Sequence, residues 1–527
     1  MKKLVKKMAA TGLTLTSVVS LVACGSSTTS SDNSSEITKP EQITAMVDTV
    51  VNESNGGQEF YDYLGGLTGL NIKWIHPDHA GYYDAVANAF NSDTTMPDVV
   101  QLSSDYYALY ASNGFLWNMT DAWEKSDTKK SGRMVSTADK VFESCHVSGE
   151  DGQAALYGFP TTRGNGCVTY IKKAWLTEAG IDSSKLEDTT LDFNTFYDYC
   201  KKMASTRGHY VISAPKFVSA EAPYTNYLPE FYQNAHYNFY KNSSGQYVDG
   251  FSEKEMQDAL QRLQTAVSDG VIDKETVNNS TGNSRDKFYS TSPDSETGIF
   301  TYWAGKWADT LRINLEAKGL NGDLIALKPI KELGSYTERL TGTWCITSEC
   351  KNPQGVFKYF IESMLDGGDV QTAWTYGAKG THWDTKAETV TLQGKEDNGT
   401  TYKEGEFHLL PSPEKPNTLM QNNNIDPLLA LAKYNNTADT PNGDDPGTSK
   451  ISELAKTNEQ FFIDNSNVEV PLPVNSTFSE NITDIITARN YVISQVALGY
   501  LSVKEGMDYY QQTVGSKITE VTKALNK

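Results

Sequence analysis

Residues 70–102, LNIKWIHPDHAGYYDAVANAFNSDTTMPDVVQL, carry the clearest fold signal in the chain. Both ends of this stretch are short apolar runs that predict strands, and the amphipathic pattern at 82–91 between them predicts a helix. A strand at 42–50 and a helix at 58–68 are predicted immediately before it. Strands and helices that alternate over such short connections indicate an α/β fold, with a parallel sheet between layers of helices.

A second α/β unit is predicted further along the chain. Its predicted strands are 167–171, 210–213, 298–301 and 324–327, and its predicted helices are 172–179, 191–204, 253–269 and 305–319. The chain then becomes mostly helical, with helices predicted at 353–365, 368–376, 427–434, 479–498 and 503–526. The polar stretches 278–296, 386–406 and 435–450 are predicted to be loops.

Charge and hydropathy exclude several classes of protein. The chain has 527 residues and a formal net charge of −20, because 66 Asp and Glu residues outnumber 46 Lys and Arg residues. Such a surface repels phosphate backbones, so binding to nucleic acid is not expected. It also repels anionic lipid, so attachment to a membrane would have to be covalent or hydrophobic. A mean hydropathy of −0.49 is typical of a folded protein without multiple membrane spans.

The first residues predict the compartment. A basic start, MKKLVKK, precedes a short apolar run that suits a signal peptide better than a membrane span, and LVACG follows at 21–25. Small residues directly before Cys24 resemble the lipobox of bacterial lipoproteins, in which this cysteine becomes a lipidated N-terminus. A plain secretory peptide is the alternative. The sequence therefore predicts a signal peptide at 1–23 and a Ser/Thr-rich flexible tether at 24–39.

Signatures of catalysis and of metal binding are missing from the sequence. It contains no GxSxG, HExxH, Walker or EF-hand pattern. Five cysteines follow Cys24, and no pair of them has the spacing of a metal site. We interpret most of them as small buried residues, and a Cys345–Cys350 bridge remains open. No catalytic residue, metal or cofactor is predicted.

Five short motifs resemble a known family. They are 92–100 (SDTTMPDVV), 113–120 (NGFLWNMT), 155–160 (ALYGFP), 170–176 (YIKKAWL) and 376–383 (YGAKGTHW). In this order they resemble the bacterial extracellular solute-binding proteins of family 1, specifically the large LipO-like lipoproteins of Gram-positive bacteria. The likeness extends from the signal peptide to about residue 429.

The resemblance implies a two-lobe, type II periplasmic-binding-protein-like fold that closes over a solute. It places one lobe at 40–163 and 298–343 and the other at 164–297 and 344–527, with crossings near 159–166, 292–298 and 343–347. It also implies a monomer, lipid-anchored on the outer face of the cell membrane, that delivers an oligosaccharide to an ABC permease. Alginate-binding relatives carry a calcium loop where this chain has 205–210 without a carboxylate, so no calcium is expected there.

Aromatic and polar residues at strand ends and crossings are the candidates for holding a sugar, because rings stack on its apolar faces while polar groups bind its hydroxyls. The predicted ligand-binding residues are Asp105, Tyr106, Arg163, Tyr224, Tyr227, Trp303, Trp344, Tyr376 and Trp383. For each ring the alternative is packing in the core. Two other functions remain open: a binding lipoprotein for a non-sugar solute such as a peptide, and a surface glycan hydrolase.

Overall fold

The chain folds into two α/β lobes, each with its own hydrophobic core. The structure, a computed structural model, describes residues 37–48, 53–77, 81–134, 138–160, 166–218, 227–394, 399–420, 453–468, 472 and 475–526. The first core draws on residues 43–159 and 340–374 with Met420, and the second on 167–336 and 462–525. The predicted α/β class is confirmed.

A five-stranded sheet forms the centre of the first lobe. Its strands lie in the order Asn71–Ile75, Gln42–Met46, Val99–Leu102, Thr343–Ile346 and Gly158–Pro160. The first three are parallel, and Thr343–Ile346 is antiparallel to both of its neighbours. The parallel part agrees with the prediction from 70–102, because those strands follow one another with only a helix between them.

Helices cover this sheet. They are Gly57–Thr68, Tyr82–Ala89, Ser104–Ser112, Thr120–Lys125, Asp127–Lys130, Ala138–Ser144, Pro353–Val356 and Asp369–Tyr376, with 3-10 turns at Glu53–Asn55 and Glu362–Leu365 and a π-helical turn at Phe357–Ile361. The single helix predicted at 353–365 is thus divided into three types of turn. Three short antiparallel strand pairs complete the lobe: His146–Ser148 with Ala154–Leu156, Trp383–Asp384 with His408–Leu409, and, enclosed by that second pair, the hairpin of Glu388–Val390 with Thr400–Tyr402. The last hairpin lies inside the predicted loop 386–406.

The second lobe is built around the strand Cys167–Lys172, whose six residues are all buried. Ile299–Trp303 and Leu324–Ala326 pair with it on either side, and both are antiparallel. The other pairs are Phe239–Lys241 with Tyr247–Asp249 and Tyr336–Glu338 with Ser466–Val468. The strand predicted at 210–213 contributes only isolated bridges at Ile212.

Helices surround the second sheet and form the C-terminal part of the lobe. They are Lys173–Glu178, Ser184–Asp188, Phe193–Arg207, Pro229–Tyr232, Lys254–Ser268, Thr281–Phe288, Lys306–Ala317, Glu453–Asp464, Ser476–Ala497 and Val503–Leu525, with 3-10 turns at Gly250–Ser252 and Lys274–Val277. Thr281–Phe288 corrects the predicted loop 278–296. The predicted helix 427–434 and loop 435–450 lie outside the described residues.

The division of the chain between the cores differs from the predicted boundaries. Ile299–Trp303 pairs with Cys167–Lys172 and therefore belongs to the second lobe, whereas Thr343–Ile346 pairs with Val99–Leu102 in the first. Residues 292–298 are consequently not a crossing. The chain passes between the cores at 160–166, at 336–343 and again between Met420 and Phe462.

The ends of these passages touch one another. A Cβ atom built on Gly166 would lie 2.2 Å from the Thr337 carbonyl oxygen and 2.6 Å from Phe462 Cζ. A side chain at residue 166 would therefore clash with both of the other passages. The described ends of the three passages therefore meet at Gly166, Thr337 and Phe462, as expected for a hinge between two lobes.

Candidate binding site

The carboxyl ends of the parallel strands in the first lobe present polar groups along one edge of the sheet. In α/β sheets this is the edge where ligands bind. His76 and Ser103 directly follow the strands Asn71–Ile75 and Val99–Leu102. Asp48 lies two residues after the strand Gln42–Met46. The Asp48 backbone N–H donates to Gln101 Oε1 at 3.0 Å, which ties the ends of two neighbouring strands together.

Two tyrosine rings stack at this edge. Tyr83 and Tyr106 have ring centroids 3.8 Å apart and planes inclined by 7°. The Tyr83 hydroxyl is hydrogen-bonded to Ser103 Oγ and accepts the Ser103 backbone N–H at 3.1 Å. Burial raises the pKa of Tyr83 to about 12, so the phenol stays neutral. Tyr83 thus holds both the strand end and the Tyr106 ring in place.

The neighbouring tyrosine anchors the helix that carries Tyr83. The Tyr82 hydroxyl lies 3.0 Å from the Met46 carbonyl oxygen and 2.8 Å from that of Gln101, and it donates to these groups. Tyr82 is 1% exposed. The start of the helix Tyr82–Ala89 is therefore fixed against two strands.

The second lobe contributes an indole and a guanidinium. Trp303 ends the strand Ile299–Trp303 and is half-buried. The Arg339 guanidinium lies over its ring, 4.2 Å from the centroid, in cation–π geometry. The Tyr170 hydroxyl donates to the Trp303 carbonyl oxygen at 3.3 Å.

The second passage brings these two groups of residues close together. Arg339 lies in this passage, and Thr343, four residues later, pairs with Leu102, the residue before Ser103. Four extended residues span at most about 14 Å. Tyr83, Ser103 and Tyr106 of the first lobe are therefore joined to Trp303 and Arg339 of the second by one short connection.

Four of the residues predicted to bind ligand are buried instead. Tyr227, Trp344, Tyr376 and Trp383 are 3%, 0%, 1% and 2% exposed. Trp344 lies in a strand with neighbours on both sides, and its ring packs edge-on against Phe360 and Trp374. In this conformation these four side chains contribute to packing, and the structure does not expose them as a binding surface.

Tyr376 and Trp383 form a small separate cluster together with Phe407 and Leu409. Trp383 Nε1 donates to the Gly377 carbonyl oxygen at 2.9 Å, which closes the loop between the two aromatic residues. The cluster packs beside the first lobe through His382, whose Nε2 donates to the Asn55 carbonyl oxygen at 2.9 Å. The motif 376–383 thus shapes a loop.

The other predicted residues divide into two groups. Tyr106 and Trp303 lie at the site described above, and their contact with a ligand remains a prediction. Arg163 and Tyr224 lie outside the described residues, and Asp105 is described only as part of the helix Ser104–Ser112, without its side chain.

Sequence reasoning missed Tyr83 and Arg339. Tyr83 stands in the first turn of a helix that follows a strand end, which is a signal the sequence does contain. Arg339 was missed because the second passage was predicted at 343–347, whereas the cores place it at 336–343.

The described residues offer neither a metal site nor a membrane-spanning helix. Within them no group of three or more His, Cys, Asp or Glu side chains could hold a metal ion. At 205–210 Arg207 forms ion pairs with Glu178 at 2.7 Å and with Glu296 at 3.5 Å. None of the described helices has the length and apolar character needed to cross a membrane. Cys145, Cys167, Cys200, Cys345 and Cys350 are all free thiols, so no Cys345–Cys350 bridge forms.

Solved structures of similar fold come from sugar-binding proteins. The N-glycan transport solute binding protein (NgtS) from Streptococcus pneumoniae is 13% identical, with a TM-score of 0.58 over 92% of this chain and 98% of its own. The alginate-binding protein AlgQ2 is 15% identical, with a TM-score of 0.56 over 93% and 98%. A putative oligosaccharide periplasmic-binding protein from Synechococcus sp. MITs9220 is 14% identical, with a TM-score of 0.54 over 92% and 100%.

At these identities the structural likeness establishes the fold alone. A search of curated proteins finds no match. The family model described as "Bacterial extracellular solute-binding protein" matches residues 53–362, which is more than half of the chain. That range covers every strand of the two central sheets except Gln42–Met46, together with the hinge passage at 336–343 and the site residues Tyr83, Ser103, Tyr106, Trp303 and Arg339. The chain therefore belongs to the bacterial extracellular solute-binding proteins.

Proposed function

We propose that this protein is a lipid-anchored receptor that captures an oligosaccharide between its lobes and delivers it to an ABC import permease. The observation that carries the proposal is that aromatic side chains lie on both sides of the hinge passage. The Tyr83–Tyr106 stack belongs to the first lobe, Trp303 belongs to the second, and Arg339 of the passage lies over the Trp303 ring. The solved relatives named for N-glycan, alginate and oligosaccharide support a carbohydrate ligand.

The chemistry of the two sides suits a sugar. Aromatic rings stack on the apolar C–H faces of a pyranose, and hydrogen-bonding groups at their edges select its hydroxyls. Asp48 at the first-lobe edge is an acceptor, and Arg339 in the passage is a donor. A ligand with both donors and acceptors, such as a neutral polyhydroxylated chain, satisfies both lobes at once. Because it contacts both, it favours the closed form.

Anchoring and delivery rest on the sequence and on the family. Cys24 follows a short apolar segment and small residues, the pattern of a lipidated cysteine. With Cys24 acylated, the protein would stay at the outer face of the cell membrane and act there as a monomer. It needs no cofactor and performs no chemistry on the ligand. Closure around the sugar would be the signal that the permease reads.

Titration calorimetry with a panel of oligosaccharides and peptides tests the proposal. We expect a glycan to bind, and Tyr106→Ala and Trp303→Ala each to weaken its binding at least tenfold, because each removes a stacking ring. Tyr500→Ala is the matched control, since Tyr500 is 71% exposed on the turn between the C-terminal helices. Binding of peptides alone, or glycans shortened on incubation, would contradict the proposal.

A further inference from the structure

The first described residues of the chain are fastened to the first lobe, which corrects the sequence prediction that the flexible tether 24–39 includes residues 37–39. Asn352 Nδ2 donates to the Thr38 carbonyl oxygen at 3.0 Å, and the Tyr359 hydroxyl donates to the Ile37 carbonyl oxygen at 3.2 Å. Lys39 Nζ donates to the Thr68 carbonyl oxygen. We call Ile37, Thr38 and Lys39, with these partners, the N-terminal clip.

The fit at the clip is tight. A Cβ atom on Gly355 would lie 2.4 Å from the Thr38 carbonyl oxygen, so the backbone passes directly against the start of the helix Pro353–Val356. Asn352 also accepts the Gly355 backbone N–H at 3.0 Å, which makes it the N-cap of that helix. One side chain therefore caps a helix and holds the leading segment of the chain.

The clip lies at the end of the first lobe opposite the candidate site. Gln42–Met46 begins directly after the clip and runs toward Asp48, and five strand residues cover about 17 Å. Asn352 follows Thr343–Ile346, whose last residue pairs with Val99 at the amino end of its strand. The helix Gly57–Thr68 runs back from the site end of the sheet to the clip end over a similar length. Lys39 donates to the carbonyl oxygen of its last residue, Thr68.

We infer that the face around the clip is the side of the first lobe nearest the lipid bilayer, and that the candidate site points away from the bilayer in the undocked protein. The inference rests on the proposed lipidation of Cys24. Twelve residues, 25–36, separate the anchor Cys24 from Ile37, and the coil that their composition predicts reaches about 20 Å. The first lobe is then the tethered one, and the second lobe moves freely when the hinge closes.

Because the anchor and the site lie at opposite ends of the first lobe, delivery requires a tether long enough for the site to turn toward the membrane. The thirteen Cα–Cα steps from Cys24 to Ile37 reach at most about 45 Å when fully extended, well beyond the roughly 17 Å between the two ends of the sheet. The tether is therefore long enough for the molecule to turn its site toward a permease in the same membrane. The clip fixes where this tether begins.

Energy transfer from single labels on the lipidated full-length protein to an acceptor lipid in vesicles tests the orientation. Gln58→Cys and Gly66→Cys place labels at opposite ends of the helix Gly57–Thr68, about 12 Å apart along its axis. A Cβ atom at Gly66 meets nothing within 4 Å, and the five described native cysteines are buried. Ser205→Cys reports on the second lobe. We expect transfer to be strongest from 66, weaker from 58 and weakest from 205.

A second pair of variants tests the clip itself. Asn352→Asp keeps the cap on Gly355 but removes the donor to Thr38, and Tyr359→Phe removes the donor to Ile37. Together they should speed hydrogen exchange in a peptide covering 37–48 and lower transfer from the label at 66. Asn118→Asp with Tyr500→Phe makes the same chemical changes at exposed positions and should do neither.

Three results would overturn the inference: equal transfer from 58 and 66, the reverse order, or unchanged exchange in the clip variant. Failure of the protein to stay with vesicles would also overturn it, since the anchor would then be missing. Glycan titration separates this outcome from failure of the proposed ligand, because the clip variants leave the residues of the candidate site untouched.

Discussion

The two lobes are stabilised by different chemistry. The first lobe buries an aromatic core in which Trp344, Trp374, Phe360 and Phe60 pack edge to face. The second lobe buries charges: Lys172 pairs with Glu296 at 2.7 Å, and Arg489 pairs with Asp249 at 2.6 Å. Because buried charges depend on their partners and on pH, we expect the second lobe to be the more sensitive half of the molecule.

The largest effect is expected from breaking the most deeply buried ion pair. Arg489 is 0% exposed, and its Nε donates to the Tyr510 hydroxyl at 3.0 Å and its Nη1 to Asn238 Oδ1 at 3.2 Å, besides the pair with Asp249. Arg489→Met leaves the Asp249 carboxylate buried without a cation. The free energy of unfolding of the second lobe should fall by about 3–5 kcal/mol. Urea denaturation followed by tryptophan fluorescence should then show two transitions.

Two controls separate the buried charge from a general loss of packing. Asp249→Asn added to Arg489→Met removes the unpaired charge and should restore part of the lost stability. Lys504→Met breaks an exposed pair on the same C-terminal hairpin and should cost less than about 0.5 kcal/mol. A single unshifted transition for Arg489→Met would mean that the lobes do not differ in this way.

The second prediction tests the difference between the lobes through the pH dependence of the stability of the second lobe. Glu230 is 2% exposed, and burial raises its pKa to about 7, opposed by hydrogen bonds with Thr169 and Tyr336. Between about pH 4.5 and pH 7 the folded state keeps a proton that the unfolded state releases, so stability falls as the pH rises and levels off above 7. Glu230→Gln abolishes this loss and should stabilise the second lobe by up to about 3 kcal/mol at pH 8 relative to pH 4.5.

Thermal unfolding at several pH values measures the effect. The difference in melting temperature between Glu230→Gln and the parent protein should grow steadily from pH 4.5 to pH 7. Glu520→Gln changes an exposed carboxylate in the last helix and should give a difference that does not vary with pH. A constant difference for Glu230→Gln as well would show that this carboxyl titrates normally.

Local patterns in the sequence predicted the elements that form from their own residues. Gly57–Thr68 and Lys254–Ser268 have regular apolar faces and appear where the periodicity placed them. Thr281–Phe288 was missed because it has almost no apolar face and begins with a capping box between Ser280 and Asn283. Its polar composition resembles a loop, and the signal lies in the cap alone.

The lobe boundaries and the site were harder to predict, because they depend on strands that pair with residues far away in the sequence. Nothing within 298–303 or 343–347 tells which distant strand each will join. The strand at 298–301 was predicted but assigned to the other lobe, and 343–347 was predicted as a crossing, whereas Thr343–Ile346 is a strand of the first sheet. The rule that ligands meet strand ends selected Tyr106 and Trp303, whose contact with a ligand is still a prediction. It failed for Trp344, since the strands on both sides of Thr343–Ile346 come from elsewhere in the chain and bury the ring.

The smallest effect concerns how the first lobe prepares its edge for a ligand. Tyr83→Phe keeps the ring that stacks on Tyr106 but removes the hydroxyl that holds Ser103. With the strand end and the Tyr106 ring less fixed, the affinity for the glycan should fall about tenfold, the equivalent of roughly 1.4 kcal/mol, mainly through faster dissociation. Surface plasmon resonance resolves the two rates.

The neighbouring residue supplies the matched control for this positioning role. Tyr82→Phe removes a hydroxyl that is bonded to the backbone carbonyls of Met46 and Gln101, so it should lower the melting temperature. Since Tyr82 points into the sheet and not toward Tyr106, the affinity should change less than twofold. If Tyr82→Phe weakened binding as much as Tyr83→Phe, general loosening of the first lobe would explain both, and the specific role of Tyr83 would be lost.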